Sequence, residues 1–253
     1  MREKHTTDQG VLKTEGLTKN FGALRAVDRV NLLVESGVHS IIGPNGAGKT
    51  TLFNLLTGFL KPDTGKIFYS GQEITHLQPY EISQLGMARS FQITSIFPEL
   101  TVFENVRLAV QSRLKAAYNF LISFKSLDNV EERTERVLKD VGLFSEADVI
   151  AKNLSYGLQR CLDIGISLAT DPKLILLDEP TSGLSQEDGN RIIHLISEIA
   201  KNIPVLVIEH NIDIVLSISD IITVLYQGGV LAEGSASEIT RDQKVQEAYL
   251  GGI

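Results

Sequence analysis

Cysteine is almost absent from this sequence: Cys161 is the only one among 253 residues. A single thiol excludes a disulfide framework and a zinc site made of clustered cysteines. Its position within an apolar helical stripe predicts a small core residue. The five histidines contain no HxxxH pair, so the sequence does not indicate a metal site of histidine and cysteine ligands.

Positive charge is also scarce, because 24 Lys and Arg stand against 31 Asp and Glu and give a net charge of -7. A protein that coats DNA or RNA needs clustered basic residues to neutralise phosphates. We therefore exclude that class and expect no nucleic-acid partner.

Long hydrophobic runs are missing as well. The longer apolar stretches, LFNLLTGFL and IPVLVI, fall far short of the ~20 residues that a membrane helix needs. The first ten residues, MREKHTTDQG, lack the apolar segment of a secretion signal. We expect the chain itself to stay in the cytosol.

The residues that are present favour one α/β domain with an insertion. Hydrophobic residues make up 43% of the chain and charged residues 22%, with 7 prolines, a composition typical of a soluble globular protein with a sizeable core. Strand-like alternation predicts an antiparallel N-terminal layer, and short apolar runs after residue 169 are typical of parallel strands buried on both faces. The predicted parts are 11–92, with that layer and the start of a mixed or parallel core; 93–168, a helical insert with a capping box at Thr101 and Glu104; and 169–253, the rest of the core.

Residues 43–51 read GPNGAGKTT and lie between a predicted strand at 38–42 and a predicted helix at 49–58. The spacing Gly-x4-Gly-Lys-Thr is that of a phosphate-binding loop in the context the motif requires, and a chain of this composition would contain about 0.01 such matches by chance. Glycines let backbone N–H groups converge on phosphate oxygens at the positive end of the helix. We predict that the loop binds a nucleotide through Asn45, Gly46, Ala47, Gly48, Lys49, Thr50 and Thr51.

Two roles within this loop follow from chemistry. The ammonium group of Lys49 can reach the β- and γ-phosphates of ATP. The hydroxyl of Thr50 can bind Mg²⁺, which prefers oxygen ligands. We therefore predict ATP and Mg²⁺ as the cofactors.

The second half of the predicted site is the stretch LILLDE at 174–179. An apolar strand brings Asp178 and Glu179 to its C-terminal end, where open parallel sheets place their ligands. We assign Asp178 to Mg²⁺ and Glu179 to polarising the attacking water. His210 ends another apolar run, VLVIEHN, and is predicted to contact the γ-phosphate as a hydrogen-bond donor.

Taken together, GPNGAGKT, Gln92 in RSFQ, LSYGLQR at 154–160, LILLDEP, SGLS at 182–185 and His210 resemble the ATPase subunits of ABC transporters in kind, order and spacing. The resemblance covers nearly the whole chain. It implies the ABC ATPase fold: a RecA-like P-loop core, an antiparallel β layer and an inserted α-helical subdomain.

The resemblance also implies roles for residues that the motifs alone do not explain. Phe21 would stack on adenine, and Gln92 would complete the environment of Mg²⁺ and the attacking water. Ser155 and Gly157 open the helix of the LSYGLQR signature and would face the ATP held by a second ATPase subunit. ABC ATPases act as dimers of this kind, so a homo- or heterodimer is expected.

Three positions depart from the family pattern. Tyr156 replaces a glycine, Leu158 stands where the signature glutamine is usual, and Ser185 replaces the usual acid of the SALD loop. One hypothesis is that the chain pairs with a different ATPase subunit whose signature is more conventional.

The branch of the family is indicated by RSFQITSIFPELTVFENV, LSYG, VIEHN, GGVLAEGS and a terminus at YLGGI. These stretches look like the branched-chain amino acid importer ATPases and their urea-importer relatives. The resemblance implies permease subunits, a solute-binding protein and a peripheral location on the cytoplasmic face of the inner membrane. Phe97, Pro98 and Leu100 would lie beside the groove that receives the permease. The alternatives are a urea or amide importer, a lipid or lipopolysaccharide exporter, and a non-transport ATP switch.

Overall fold

The computed structural model describes residues 10–90, 96–113 and 124–250. It forms two compact units. The first unit contains the chain up to Leu85 and from Ile199 onward, and the second contains Gly86–Glu198. The division predicted from sequence, at 92/93 and 168/169, stays a prediction.

The described elements alternate between strands and helices along the chain. In order they are β1 (Leu12–Phe21), β2 (Leu24–Val34), β3 (Val38–Ile42), α1 (Lys49–Leu56), β4 (Thr64–Tyr69), β5 (Gln72–Glu73), α2 (Pro79–Gln84), β6 (Met87–Arg89), α3 (Val102–Ser112), α4 (Phe124–Asp140), α5 (Tyr156–Ala169), β7 (Leu174–Asp178), α6 (Gln186–Ala200), β8 (Val205–Ile208), α7 (Ile212–Ile218), β9 (Ile221–Tyr226), β10 (Gly229–Gly234), α8 (Ala236–Arg241) and α9 (Gln243–Leu250).

The first unit contains an antiparallel sheet and a mixed sheet. The antiparallel sheet has the strand order β2-β1-β4-β5 and confirms the predicted N-terminal layer. In the mixed sheet, β3 lies between β8 and β9 and is parallel to both, while β10 pairs with β9 in antiparallel orientation. Every residue of β3 and β8 is buried, which explains why these strands read as continuous apolar runs.

The second unit combines helices α3 to α6 with the parallel strand pair β6 and β7. The predicted capping box is confirmed: the Glu104 amide donates to the Thr101 hydroxyl at 3.1 Å, and the Thr101 amide donates to the Glu104 carboxylate at 2.8 Å. The hydrogen bonds that the Thr101 amide and hydroxyl donate to the Glu104 carboxylate hold its pKa below the usual value. Strand β6 was not predicted, because three residues are too few to show a period.

Cys161 is fully buried in α5, as predicted. Burial raises the pKa of its thiol to about 11, because a buried thiolate loses its hydration. The side chain is therefore a neutral core residue at physiological pH rather than a reactive thiol.

His39 is a buried polar residue of β3 that sequence reasoning did not single out. Its Nε2 shares a hydrogen bond of 2.7 Å with the Thr223 hydroxyl, which donates to a Glu233 carboxylate oxygen at 2.6 Å. The side chain is 3% exposed, and burial lowers the pKa of His39 to about 4. The protonated form is therefore strongly disfavoured in the folded protein.

This burial predicts a specific dependence of stability on pH. In the unfolded chain His39 binds a proton near its ordinary pKa of about 6.5, whereas the folded protein resists protonation down to about pH 4. The unfolded state thus binds more protons within this window, so stability falls as pH falls from about 6.5 to 4, by about 3 kcal/mol in total. Urea unfolding across this pH range should show that the free energy of unfolding falls less for His39→Gln than for the wild type. His194→Gln, at an exposed position, is the matched control, and equal pH profiles for His39→Gln and wild type would contradict the assignment.

Candidate functional site

The predicted phosphate loop follows the buried strand β3 and ends where α1 begins. Gly48 is the N-cap residue of α1 and has φ 103°, a left-handed conformation that glycine adopts without strain. A Cβ atom at Gly48 would collide with the carbonyl oxygen of Ala26, and one at Gly43 with the carbonyl oxygen of Leu225. Backbone thus packs against backbone on this side of the loop, which explains the glycines at these two positions.

Lys49 lies across the loop. Its Nζ donates to the carbonyl oxygens of Gly43 at 2.6 Å and Pro44 at 3.1 Å, and the residue is 8% exposed. The ammonium group is therefore held at the concave side of the loop by groups that a phosphate can replace as acceptors.

The other loop residues leave the N-terminus of α1 suited to an anion. Asn45, Gly46 and Thr50 are exposed, Thr51 is half-buried, and Ala47 is buried with its amide donating to the Pro44 carbonyl at 3.1 Å. The first turn of α1 contains no acidic residue. Its positive end is therefore not compensated by a carboxylate of its own first turn.

Phe21 is the last residue of β1 and is 48% exposed. It pairs with Leu24 across the turn, and Leu24 is 67% exposed. The Nζ of Lys19 lies 5.9 Å from the ring centroid. The ring is accessible to a planar ligand, unlike a core phenylalanine such as Phe53, which is fully buried.

His210 follows β8, the neighbour of β3. The register pairs Ile41 with Ile208, and the Glu209 amide donates to the Ile41 carbonyl at 3.4 Å. Because β3 and β8 are parallel, their C-terminal ends meet at one edge of the sheet. The structure thus brings His210 to the edge from which the phosphate loop starts. The His210 side chain is 56% exposed.

Glu209 is a site-adjacent residue that sequence reasoning missed. Its side chain is fully buried, and its carboxylate accepts a hydrogen bond of 3.2 Å from the His210 amide. The same carboxylate oxygen lies 3.9 Å from Nδ1 of His210. A buried carboxylate directly before the histidine therefore anchors its backbone and lies near Nδ1 of its ring. The signal that could have found it is a charged residue ending the buried run VLVI.

In the second unit, β7 places Asp178 and Glu179 at its C-terminal end. Asp178 is 6% exposed, and its Oδ2 accepts a hydrogen bond of 3.0 Å from Nη2 of Arg89. Glu179 is half-buried and has φ 47°, a left-handed conformation that is uncommon for a residue other than glycine. Such backbone strain costs of order 1–3 kcal/mol and is concentrated at functional sites.

The signature stretch opens α5 as predicted. Ser155 is the N-cap residue, and its Oγ accepts a hydrogen bond of 3.3 Å from the Leu158 amide. Ser155 is exposed, whereas Gly157 is buried. A Cβ atom at Gly157 would collide with the Asp188 carboxylate and lie 2.7 Å from the Asp188 Cβ. The glycine is therefore required by this close packing.

Ser185, which departs from the family pattern, directly precedes α6. Its Oγ accepts from the Asp188 amide at 3.2 Å and donates to the Asp188 carboxylate at 2.9 Å. This cap fixes the carboxylate that packs against Gly157. Ser185 thus has a structural role in this chain. Through the Asp188 side chain it connects the SGLS stretch to the signature helix. Sequence reasoning missed Asp188, although serine followed three residues later by an acid is a helix-start pattern.

The packing at Gly157 predicts a large effect of one added methyl group. Gly157→Ala should destabilise the protein by about 1–3 kcal/mol, because the Asp188 Cβ is tied to the backbone of α6 and cannot move away. The matched control is Gly189→Ala, within α6, where a Cβ would meet no atom within 4 Å and should stabilise by about 0.5–1 kcal/mol. Urea unfolding measures both changes, and a neutral or stabilising Gly157→Ala would contradict the packing argument.

Gln92 lies outside the described residues, so its role stays a prediction. The remaining predicted residues fall into two groups. The first unit holds Phe21, the loop residues 45–51 and His210, and the second unit holds Ser155, Gly157, Asp178 and Glu179.

Comparison with known proteins assigns the family. The family profile described as ABC transporter matches residues 27–182, which is more than half of the chain. The chain belongs to the ABC transporter family. A second profile, described as branched-chain amino acid ATP-binding cassette transporter, matches residues 230–252 of this ABC protein.

Curated relatives support the family over nearly the whole length. The ABC protein is 39% identical over 251 residues to LivG of Escherichia coli K12, a high-affinity branched-chain amino acid transport ATP-binding protein, with 96% of this chain and 98% of LivG covered. It is 41% identical over 251 residues to BraF of Pseudomonas aeruginosa, which has the same description, with 95% and 98% covered. The likeness is therefore not confined to the ATP-binding motifs.

Solved structures support the fold. A nucleotide-free ATP-binding cassette of an ABC transporter matches with a TM-score of 0.80 at 34% identity, covering 94% of this chain and 98% of that one. The ADP conformation of such a cassette matches with a TM-score of 0.81 at 35% identity, covering 95% and 98%. The predicted ABC ATPase fold is confirmed, and the chain is an ATPase of this family. No helix in the described part of the chain is long and apolar enough to cross a membrane.

Proposed function

We propose that this ABC ATPase energises the import of branched-chain amino acids through separate permease subunits, acting from the cytoplasmic face of the inner membrane. The substrate class is inferred from the match of residues 230–252 to the branched-chain amino acid cassette profile. The names of LivG and BraF agree with it. A periplasmic or extracellular solute-binding protein belongs to the proposed importer.

ATP binds at the phosphate loop in this proposal. Backbone amides of the phosphate loop donate to the phosphates in this proposal, and Lys49 exchanges its bonds to Gly43 and Pro44 for bonds to the β- and γ-phosphates. Phe21 stacks on adenine with its exposed ring face. The uncompensated positive end of α1 supports this assignment.

The donor set fits Mg²⁺ as the metal. Thr50 offers an exposed hydroxyl and Asp178 a carboxylate, both of them oxygen donors, and Mg²⁺ accepts few protein ligands together with phosphate and water oxygens. Gln92 is the third proposed ligand. When bound, Mg²⁺ neutralises phosphate charge during transfer of the γ-phosphoryl group.

Glu179 orients and deprotonates the attacking water, and His210 donates a hydrogen bond to the γ-phosphate. The uncommon left-handed backbone at Glu179 supports its assignment, because backbone strain of this kind is concentrated at functional sites. The exposed side chain of His210, whose backbone amide is bonded to the buried carboxylate of Glu209, supports the second assignment.

The working unit in this proposal is a dimer of ATPase subunits. Ser155 and Gly157 at the start of α5 cover the ATP of the second subunit, because helix N-termini favour anionic phosphate. A dimeric cassette in a post-hydrolysis state with ADP and Pi is similar to this chain at 27% identity and a TM-score of 0.74, covering 89% and 98% of the two chains. Leu158 in place of glutamine keeps the hypothesis of a mixed pair open, and equal turnover by the isolated chain and a mixed pair would count against it.

The permease docks beside Phe97, Pro98 and Leu100. The Phe97 ring is 57% exposed, while its amide donates to Oδ1 of Asn105 at 2.8 Å. A large apolar side chain on an anchored backbone is suited to receive a partner. This exposure argues against a role for Phe97 in the core of the helical part.

Solute-stimulated ATPase activity tests the proposal. The chain is co-purified with its permease subunits, reconstituted in vesicles, and supplied with the solute-binding protein and one solute at a time. Leucine, isoleucine or valine should stimulate hydrolysis, whereas urea and short amides should not. Stimulation by urea alone would move the chain to the urea-importer branch, and outward lipid movement would indicate an exporter.

A further inference from the structure

The Arg89–Asp178 pair is a buried ion pair that the motif assignments do not explain. The Nη2–Oδ2 distance is 3.0 Å, and the two side chains are 9% and 8% exposed. We propose that Arg89 is a positioning residue for Asp178: it holds Oδ2 of the carboxylate in a fixed orientation and leaves Oδ1 available as a Mg²⁺ ligand. The inference rests on the proposed function, because Asp178 is assigned to Mg²⁺ only there.

The contact follows from the register of two neighbouring strands. In the parallel pair of β6 and β7, Arg89 lies opposite Leu176, and the Ser90 amide donates to the Leu176 carbonyl at 2.9 Å. Paired residues of parallel strands point to the same face, and residues two apart on a strand share that face. Arg89, Leu176 and Asp178 therefore lie on one face, so the guanidinium extends along it toward the carboxylate.

The pair is unlike the other ion pairs described in this unit. Arg133 and Asp171 are 36% and 83% exposed, and Lys152 and Glu99 are 50% and 73% exposed. Exposed pairs of this kind are worth about 0–1 kcal/mol. A buried pair loses the hydration of both charges, so its Coulomb attraction is largely offset. Net stabilisation therefore does not explain why an arginine is buried against Asp178. The main physical consequence of the contact is a fixed orientation of the carboxylate.

The contact also leaves one carboxylate oxygen available. Oδ2 accepts the bond from Arg89, while Oδ1 accepts no hydrogen bond from any residue that the structure describes. Residues that orient a metal-binding group from behind typically contribute 10- to 100-fold to metal affinity. Arginine suits this task better than lysine, because its planar guanidinium presents donors in a fixed geometry.

Two effects of removing Arg89 oppose each other. A guanidinium near the site repels Mg²⁺, so its loss would tighten metal binding, whereas loss of orientation would weaken it. In the wild type the charge of Asp178 is compensated by Arg89 at 3.0 Å, whereas Arg89→Gln leaves the carboxylate uncompensated, which favours a cation. We expect the loss of orientation to dominate, because contacts that orient a metal-binding group contribute 10- to 100-fold to metal affinity.

The test measures binding of a fluorescent ADP analogue to the full chain, first in EDTA and then during a Mg²⁺ titration. Arg89→Gln should lower the apparent Mg²⁺ affinity of the ADP complex about 10-fold or more, with the affinity in EDTA within about 2-fold of wild type. Arg89→Lys, which keeps the charge, should have an apparent Mg²⁺ affinity between those of Arg89→Gln and the wild type. Arg133→Gln removes an arginine with an exposed partner and should behave as wild type.

A second variant distinguishes a loss of Mg²⁺ affinity from misfolding of the protein. Arg89→Gln leaves a buried carboxylate uncompensated, whereas the Arg89→Gln/Asp178→Asn protein pairs two neutral amides and should unfold near the wild-type temperature while binding ADP in EDTA. An unchanged or tighter Mg²⁺ affinity in Arg89→Gln would overturn the inference, as would an equal loss of ADP affinity with and without Mg²⁺. A wild-type chain that binds no nucleotide at all would instead overturn the proposed function.

Discussion

Replacing Glu179 with Gln should lower the rate of ATP hydrolysis by a factor of about 100 or more, since a positioned general base contributes 10²- to 10⁴-fold. Gln keeps the size of the side chain and removes its ability to accept a proton. The backbone at position 179 already has φ 47°, and Gln meets the same strain there as Glu. The substitution therefore changes the chemistry of the side chain without changing the demand on the backbone.

The same variant should accumulate as a dimer that retains ATP. If hydrolysis reopens the dimer, a protein that binds ATP but cannot cleave it stays closed. Size-exclusion chromatography with ATP and Mg²⁺, together with measurement of bound nucleotide, should show this species. Glu99→Gln is the matched control, because it removes an exposed carboxylate paired with Lys152 in the same unit. Unchanged turnover in Glu179→Gln would rule out Glu179 as the residue that activates water.

Replacing Lys49 with Ala should abolish measurable nucleotide binding, which we expect as a loss of at least about 100-fold in affinity. Hydrogen bonds to charged groups contribute about 1.5–3 kcal/mol each, and Lys49 is assigned to two phosphates. The ammonium group already lies within the loop, at 2.6 Å from the Gly43 carbonyl oxygen. Little rearrangement is therefore needed before it meets a phosphate.

Lys61→Ala is the matched control for this prediction. Nζ of Lys61 donates to the carbonyl of Leu77 at 2.6 Å, so the control also removes a lysine bonded to a backbone carbonyl in the same unit. Titration with a fluorescent ATP analogue should give wild-type affinity for Lys61→Ala and none for Lys49→Ala. Retained nucleotide affinity in Lys49→Ala would contradict the proposed binding of phosphate by Lys49. Thermal unfolding of both variants shows whether the fold is intact.

Much of the fold could be predicted because its signals are local. The apolar run LILL before Asp178 is observed within strand β7, Leu174–Asp178, and the run VLVI before Glu209 is observed as strand β8, Val205–Ile208. These strands are buried on both faces, so their composition alone marks them. The phosphate loop was equally visible, because its glycines, Lys49 and Thr50 follow one another in a fixed order.

The contacts missed from sequence join residues that are far apart in the chain or lie in very short elements. Arg89 and Asp178 are paired, yet they are separated by 89 positions, and the strand that carries Arg89 has three residues. Gly157 in α5 meets Asp188 in α6, and strand β7 lies between these two helices in the chain. No period or spacing rule connects such residues, since their contact depends on strand register and helix packing.

The amino-acid order by itself determined which chemical groups this protein offers and which local elements hold them, because hydrophobic periodicity, turn glycines and helix caps act over a few neighbouring residues. Only the tertiary structure decided which distant groups meet: His210 beside the start of the phosphate loop, Arg89 against Asp178, and Asp188 against Gly157. The physical reason is that these contacts arise from strand pairing and close packing between elements, and those are settled when the whole chain buries its apolar faces together.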